Sequence, residues 1–141
     1  MSLLRIGLLG VVAGACLIAG VWFYFEHVAN PRVIGELRTD PGGDTAAKVM
    51  LLTLPSGREI PANFWREGDA VYAGADGRWW KELVGDGVPV GVLIQGERRS
   101  GTARAVRDDP AYRDRIFAKL RPKALPGFGT LIEIRLDDPP R

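Results

Sequence analysis

Apolar positions along the chain fall into one long block and several short, punctuated ones. The block is Ile6 to Phe25, twenty residues without a charge. At about 1.5 Å rise per residue it covers roughly the 30 Å of a bilayer's hydrocarbon, which predicts a single transmembrane helix. Trp22 and Tyr24 near its end suit headgroup depth, where a ring with a polar edge is well placed. The competing reading is a cleaved signal peptide, but the run outlasts a usual signal core and no small-x-small cleavage pattern follows Phe25. Ala13-Gly14-Ala15-Cys16 approaches a lipoprotein box, yet nine further apolar residues follow the cysteine, where a lipidated protein would turn polar. Gly10 and Gly14 form a small-xxx-small pair through which a second helix could approach.

Beyond the block the period changes. Asn30-Pro31 and Asp40-Pro-Gly-Gly-Asp44 punctuate a linker over residues 28–47, with a short strand expected at Val33 to Arg38. Lys48 to Leu54 is a continuous apolar run of strand length, expected to be central and buried on both faces, and Pro55-Ser56-Gly57 turns it. Glu59 to Trp65 alternates, with Ile60, Ala62 and Phe64 on one face. It makes a hairpin with Ala70 to Ala75 across Arg66-Glu67-Gly68-Asp69. Pro61 in that strand points to an edge or a bulge, since proline cannot donate to a ladder.

Asp76-Gly77 turns into Arg78 to Val84, which suits one or two helical turns closed by Gly85-Asp86-Gly87. Val88 to Gln95 and Gly101 to Arg107 predict a second hairpin, with Gly96 to Ser100 as its turn. The best-defined helix is Pro110 to Leu120. Asp109 is its N-cap, Pro110 takes the first position, Lys119 and Arg121 sit near its C-terminal dipole, and Pro122 stops it. Tyr112, Ile116, Phe117 and Leu120 share one face of that helix. Last comes a half-buried strand in which Phe128, Thr130, Ile132, Ile134 and Leu136 alternate with Leu131, Glu133 and Arg135. The sum is a mainly β domain of six or seven strands with one short and one amphipathic helix, best closed as a small barrel that removes exposed edges. The organisation is an anchor over 1–27, a linker over 28–47, a barrel over 48–137 and a tail over 138–141.

Charge and chemistry narrow the function classes. Cys16 is the single cysteine and His27 the single histidine, the first inside the apolar block and the second at its end. An intrachain disulfide, a thiolate metal cluster, a Ser-His-Asp triad and a Cys-His dyad are therefore excluded. Net charge is +2, but Glu26 to Gln95 carries seven Lys/Arg against ten Asp/Glu while Glu97 to Lys123 carries nine against four. The basic half suits a phosphate-bearing ligand, an anionic lipid surface or an ordinary solvated face. Nucleic acid is not expected, because Asp108, Asp109 and Asp114 interrupt the arginines and only Tyr112 lies among them. Orientation in the membrane stays open, with Arg5 and the α-amino group on one flank against Arg32 and Arg38 on the other.

Three local patterns, taken in order, carry a family likeness. They are Leu51-Leu-Thr-Leu-Pro-Ser-Gly-Arg58; Gly68-Asp69 followed by a strand; and Trp79-Trp80-x-x-Leu83 followed by a Val-rich strand, Gly96-Glu-Arg and a strand through Ala103-Arg104-Ala105-Val106. Over roughly Lys48 to Leu136 the chain resembles the split-barrel oxidoreductases, the pyridoxamine phosphate oxidase-like superfamily, nearest to its deazaflavin-dependent nitroreductases. The resemblance implies a split β-barrel that holds FMN or the deazaflavin coenzyme F-420. By position it assigns Ser56, Gly57 and Arg58, with Thr53 as an addition, to the cofactor phosphate, for which amides, a hydroxyl and a guanidinium are suited. Family members usually carry a longer, more basic loop before the Ser-Gly, and Pro55 stands there in this chain.

Two functions follow as expectations. One is a membrane-anchored oxidoreductase passing hydride to a lipophilic acceptor, whose organic chemistry belongs to the cofactor, so that histidine and cysteine are not needed. Tyr72 is its candidate proton donor, and its plainer role is cross-sheet packing. The other is a non-catalytic accessory or assembly subunit that has lost the cofactor and sits beside a larger membrane complex through the Gly10/Gly14 face. The span implies a single-pass membrane protein of a bacterial inner membrane, and the family likeness implies a homodimer. Of the paired tryptophans, Trp79 is expected in the core and Trp80 in the cofactor groove, because neighbours on a helix point about 100° apart.

Overall fold

A computed structural model describes residues 3–125 and 127–139 of the chain. It divides into two compact units at Gly35. In the first, helix α1 (Leu3–Tyr24) is followed by a π-helical stretch, Phe25–Ala29, in which the Asn30 amide donates to the Phe25 carbonyl. His27 stacks on Phe23 with ring centroids 4.2 Å apart. Helix α2 (Asn30–Thr39) comes next, so the strand expected at Val33 to Arg38 is helical. Val33, Ile34 and Leu37 are spaced by one and three, the stripe of a helix as well as the content of a strand, and six residues do not separate the two periods.

The second unit holds Leu37 and Ala46 in its interior. Arg38 pairs with Glu59 at 2.6 Å, and the Thr45 hydroxyl donates to Glu36 at 2.9 Å. These contacts tie residues 36–47, the later part of the expected linker, into the second unit.

Six strands close a barrel in the order β1-β2-β3-β6-β5-β4: β1 (Val49–Thr53), β2 (Glu59–Glu67), β3 (Ala70–Ala75), β4 (Val88–Ile94), β5 (Glu97–Val106) and β6 (Thr130–Leu136), every pair antiparallel. The interior follows from alternation. Met50, Leu52, Ile60, Ala62, Val71, Ala73, Val90, Val92, Ile132 and Ile134 point inward and form one apolar cluster. Because opposite faces alternate, Ala70, Tyr72, Val106 and Leu131 point outward. Helix α3 (Pro110–Leu120) covers them with Ile116, Tyr112 and Phe117. That cover corrects the last strand. Leu131 and Glu133 are buried rather than solvated, while Phe128 lies outside the strand and is exposed.

The β4–β5 hairpin also differs from the sequence reading. Its turn is two residues long, Gln95 and Gly96, both with positive φ (49° and 83°), so β5 already begins at Glu97. Positive φ at both central residues is the turn whose twist matches a hairpin.

The β2–β3 seam of the barrel is incompletely paired. Residues Glu59 to Asn63 of β2 pair with β1, but only Phe64 to Glu67 pair with β3. Gly74 and Ala75 of β3 pair with β6 alone. Pro61 lies in this seam, on the side where no donor is required, which reconciles a proline with a barrel strand.

Candidate functional site

The seam opens into a slot of about 260 Å³ lined by Pro61, Ala62, Asn63, Gly74, Asp76, Gly77, Trp79 and Arg121. Trp79 reaches it because Asp76-Gly77 turns β3 into a 3₁₀ helix, Trp79–Leu83, whose buried Leu83 anchors it to the barrel core. Arg121 reaches it from the C-cap of α3. Its guanidinium donates to the Gly74 carbonyl at 2.8 Å and to Asp76 at 2.6 Å, and packs over the Phe117 ring. Gly74 is required for that reach. A Cβ there would stand 2.7 Å from the Arg121 guanidinium carbon and 2.9 Å from Phe117. The slot thus combines an indole wall and a carboxamide with the Arg121–Asp76 ion pair, a chemistry suited to a flat ring carrying a polar edge.

The residues assigned by resemblance lie elsewhere. Ser56, Gly57 and Arg58 form the exposed β1–β2 turn, with Gly57 at φ +84° and the Gly57 amide donating to the Leu54 carbonyl at 2.8 Å. The Ser56 amide donates to the Glu82 carboxylate at 3.2 Å, and the Arg58 amide to the Ser56 hydroxyl at 3.4 Å. A carboxylate from the 3₁₀ helix therefore holds the donor that a phosphate would use, and a Cβ on Gly57 would meet nothing within 4 Å. A phosphate at this turn would have to displace the Glu82 carboxylate from the Ser56 amide. Thr53 sits on the outward side of β1 opposite Gly91 of β4.

The two tryptophans meet different surroundings. Both pack partly against the core, but Trp79 lines the slot, whereas the Trp80 ring lies under the Arg107 guanidinium at 4.6 Å with the Lys81 ammonium at 5.9 Å. The Glu82 contact places the β1–β2 turn beside this cationic face.

Tyr72 is outside both places. It is buried beneath α3, its phenol oxygen 2.9 Å from that of Tyr112, which lies 2.5 Å from Glu133. Each phenol has one proton, so Tyr112 donates to the carboxylate and accepts from Tyr72. Burial first, then its bonds to Glu133 and Tyr72, pushes the Tyr112 phenol far above its ordinary range, so it stays protonated. Arg104 and Arg135 stand 3.8 and 3.5 Å from the same carboxylate. The arrangement latches a helix to a sheet and presents no proton to the slot. Among the described residues no group of His, Cys, Asp and Glu is arranged for a metal ion.

Sequence reasoning missed Asn63 and Arg121. Arg121 was read as a complement to the helix dipole, which leaves its slot role invisible. Gly74 was the available signal, since a glycine inside a strand marks a close approach by another group.

No family model matches the chain, and no curated protein does. Among solved structures it is similar to a candidate pyridoxamine 5'-phosphate oxidase from Listeria innocua, at 20% identity and a TM-score of 0.52, over 64% of this chain and 85% of that one. At that identity the likeness is one of fold.

Proposed function

We propose that the chain is a membrane-anchored split-barrel protein of oxidoreductase type, which takes a flat heteroaromatic ligand, FMN or the deazaflavin, ring first beside Trp79 and serves a lipophilic acceptor such as a quinone. One observation carries the reading: the barrel opens where β2 leaves β3, and that opening is walled by an indole and headed by Asn63 and the Arg121–Asp76 pair. The anchor rests on α1, a helix long and apolar enough by length and composition to cross a membrane. The turn expected to hold a flavin phosphate is engaged by Glu82.

The same Glu82 contact favours a second reading, the cofactor-free accessory subunit. Purification in mild detergent, a visible absorption spectrum, and titration with FMN and with the deazaflavin separate the two. The oxidoreductase reading expects binding, weakened about tenfold or more by Trp79→Ala. Arg58→Ala should leave affinity unchanged if the slot alone holds the ligand. A loss on Arg58→Ala, with tighter binding in Glu82→Gln, would instead return the phosphate to the turn. Absence of a chromophore together with no binding of either cofactor would leave the accessory reading standing.

A further inference from the structure

The loop between α3 and β6 has an exterior unlike the rest of the barrel. Leu125 is 74% exposed and Phe128 69% exposed, the two most exposed large apolar side chains of the second unit. They rim a shallow groove of about 250 Å³ floored by Phe117, Ala118 and Pro122. The helix that leads into the loop is basic. From Arg113 to Leu125 there are five Lys/Arg, at positions 113, 115, 119, 121 and 123, against Asp114 alone. Three of the five are paired, Arg113 with Asp114, which also lines the groove, Lys119 with Glu67 of β2, and Arg121 with Asp76 just after β3, each pair partly solvent-exposed and screened. Lys123 stands two residues before Leu125.

We propose that this loop docks on an anionic bilayer surface, Leu125 and Phe128 entering the headgroup–acyl boundary while Lys123 meets lipid phosphates. Apolar side chains flanked by cations are the composition that binds an anionic interface, the first by leaving water and the second by the negative surface potential. The proposal rests on the anchor reading. A barrel joined covalently to a spanning helix meets the surface at a high effective concentration, so two inserted side chains suffice where free in solution they would not.

The test uses the full chain with Cys16→Ser and Ala124→Cys, an environment-sensitive dye on the new thiol, reconstituted into vesicles of phosphatidylcholine alone or mixed in equal parts with phosphatidylglycerol. Flotation after an alkaline wash reports the anchor, and quenching by brominated lipid reports the loop. The expected result is blue-shifted, lipid-quenched emission in the mixed vesicles, reduced by high salt, by Lys123→Glu and by Leu125→Ser with Phe128→Ser. A chain that floats while its dye remains in water overturns the docking and leaves the anchor intact. A chain stripped by the wash whose dye is nonetheless quenched beforehand overturns the anchor and supports lipid contact. Blue-shifted emission without lipid quenching, accompanied by cross-linking between copies, assigns the loop to a second copy of the chain and overturns the proposal.

Discussion

Strand β3 is buried on both faces, and the two faces achieve it by different means. Inward, Val71, Ala73 and Ala75 meet only apolar side chains of the barrel. Outward, Ala70 and Tyr72 lie under α3, Tyr72 in a chain of phenols ending on the Glu133 carboxylate, and Gly74 lies under the Arg121 guanidinium. The inner face is specified by volume, because non-directional burial is satisfied by any side chains that fill the space. The outer face is specified by partners, because a buried carboxylate without a donor is costly. Polar groups at this one outer patch fix where α3 sits, and α3 in turn delivers Arg121 to the slot.

That contrast can be broken most severely from the inside. Ile132→Ala, at a fully buried inner position, should lose about 2–5 kcal/mol in chemical denaturation of the detergent-solubilised chain, as a cavity that neighbours fill only partly. Gly74→Ala should cost roughly 1–3 kcal/mol through overpacking. Adding Arg121→Ala should relieve most of that cost, and a double variant no more stable than Gly74→Ala alone would reject the clash with Arg121 as its cause. Tyr112→Phe keeps the shape and deletes the donor to Glu133, for a loss of roughly 1–3 kcal/mol.

It should also change the alkaline limb of stability. The unfolded phenol ionises near its ordinary value of 10, and the folded one much higher. Its stabilising share is therefore complete below pH 10 and lost as pH rises toward the folded value. Stability measured above pH 10 should fall more steeply in the natural chain than in Tyr112→Phe; parallel slopes would remove the phenol from the account. The mildest change is Asp109→Ala. It deletes the cap bond to the Tyr112 amide, 3.0 Å, and should cost about 1 kcal/mol, loosening α3 while leaving the barrel's interior untouched.

Local order was well marked in the sequence. Helix α3 begins and ends at the expected residues because cap, proline and dipole signals coincide there, and the strand Ala70 to Ala75 lies between two glycine turns. The paired tryptophans were placed on a short helix, and the structure has one. What misled was short or one-sided information. Six residues at Val33 to Arg38 fit either period. The alternation around Ile132 marked a solvated face at Leu131 and Glu133 because it carries no sign of what lies on top. The site was the least legible part. The Ser56-Gly57-Arg58 turn was visible as a turn, but Glu82, 26 residues away, decides which anion its amide meets.

By itself the sequence determined the apolar helix, the strands and their hairpins, and the amphipathic α3, since each depends on neighbours within a few residues whose spacing is written in the chain. Only the tertiary structure decided the closure of β1 on β4, the pairing of β3 with β6, the seam where β2 leaves β3, and the meeting of Trp79 with Arg121 across it. Those contacts join residues tens of positions apart. Their partners are selected by which surfaces remain to be buried once the local elements exist, and periodicity along the chain records that a face must be covered without recording by what.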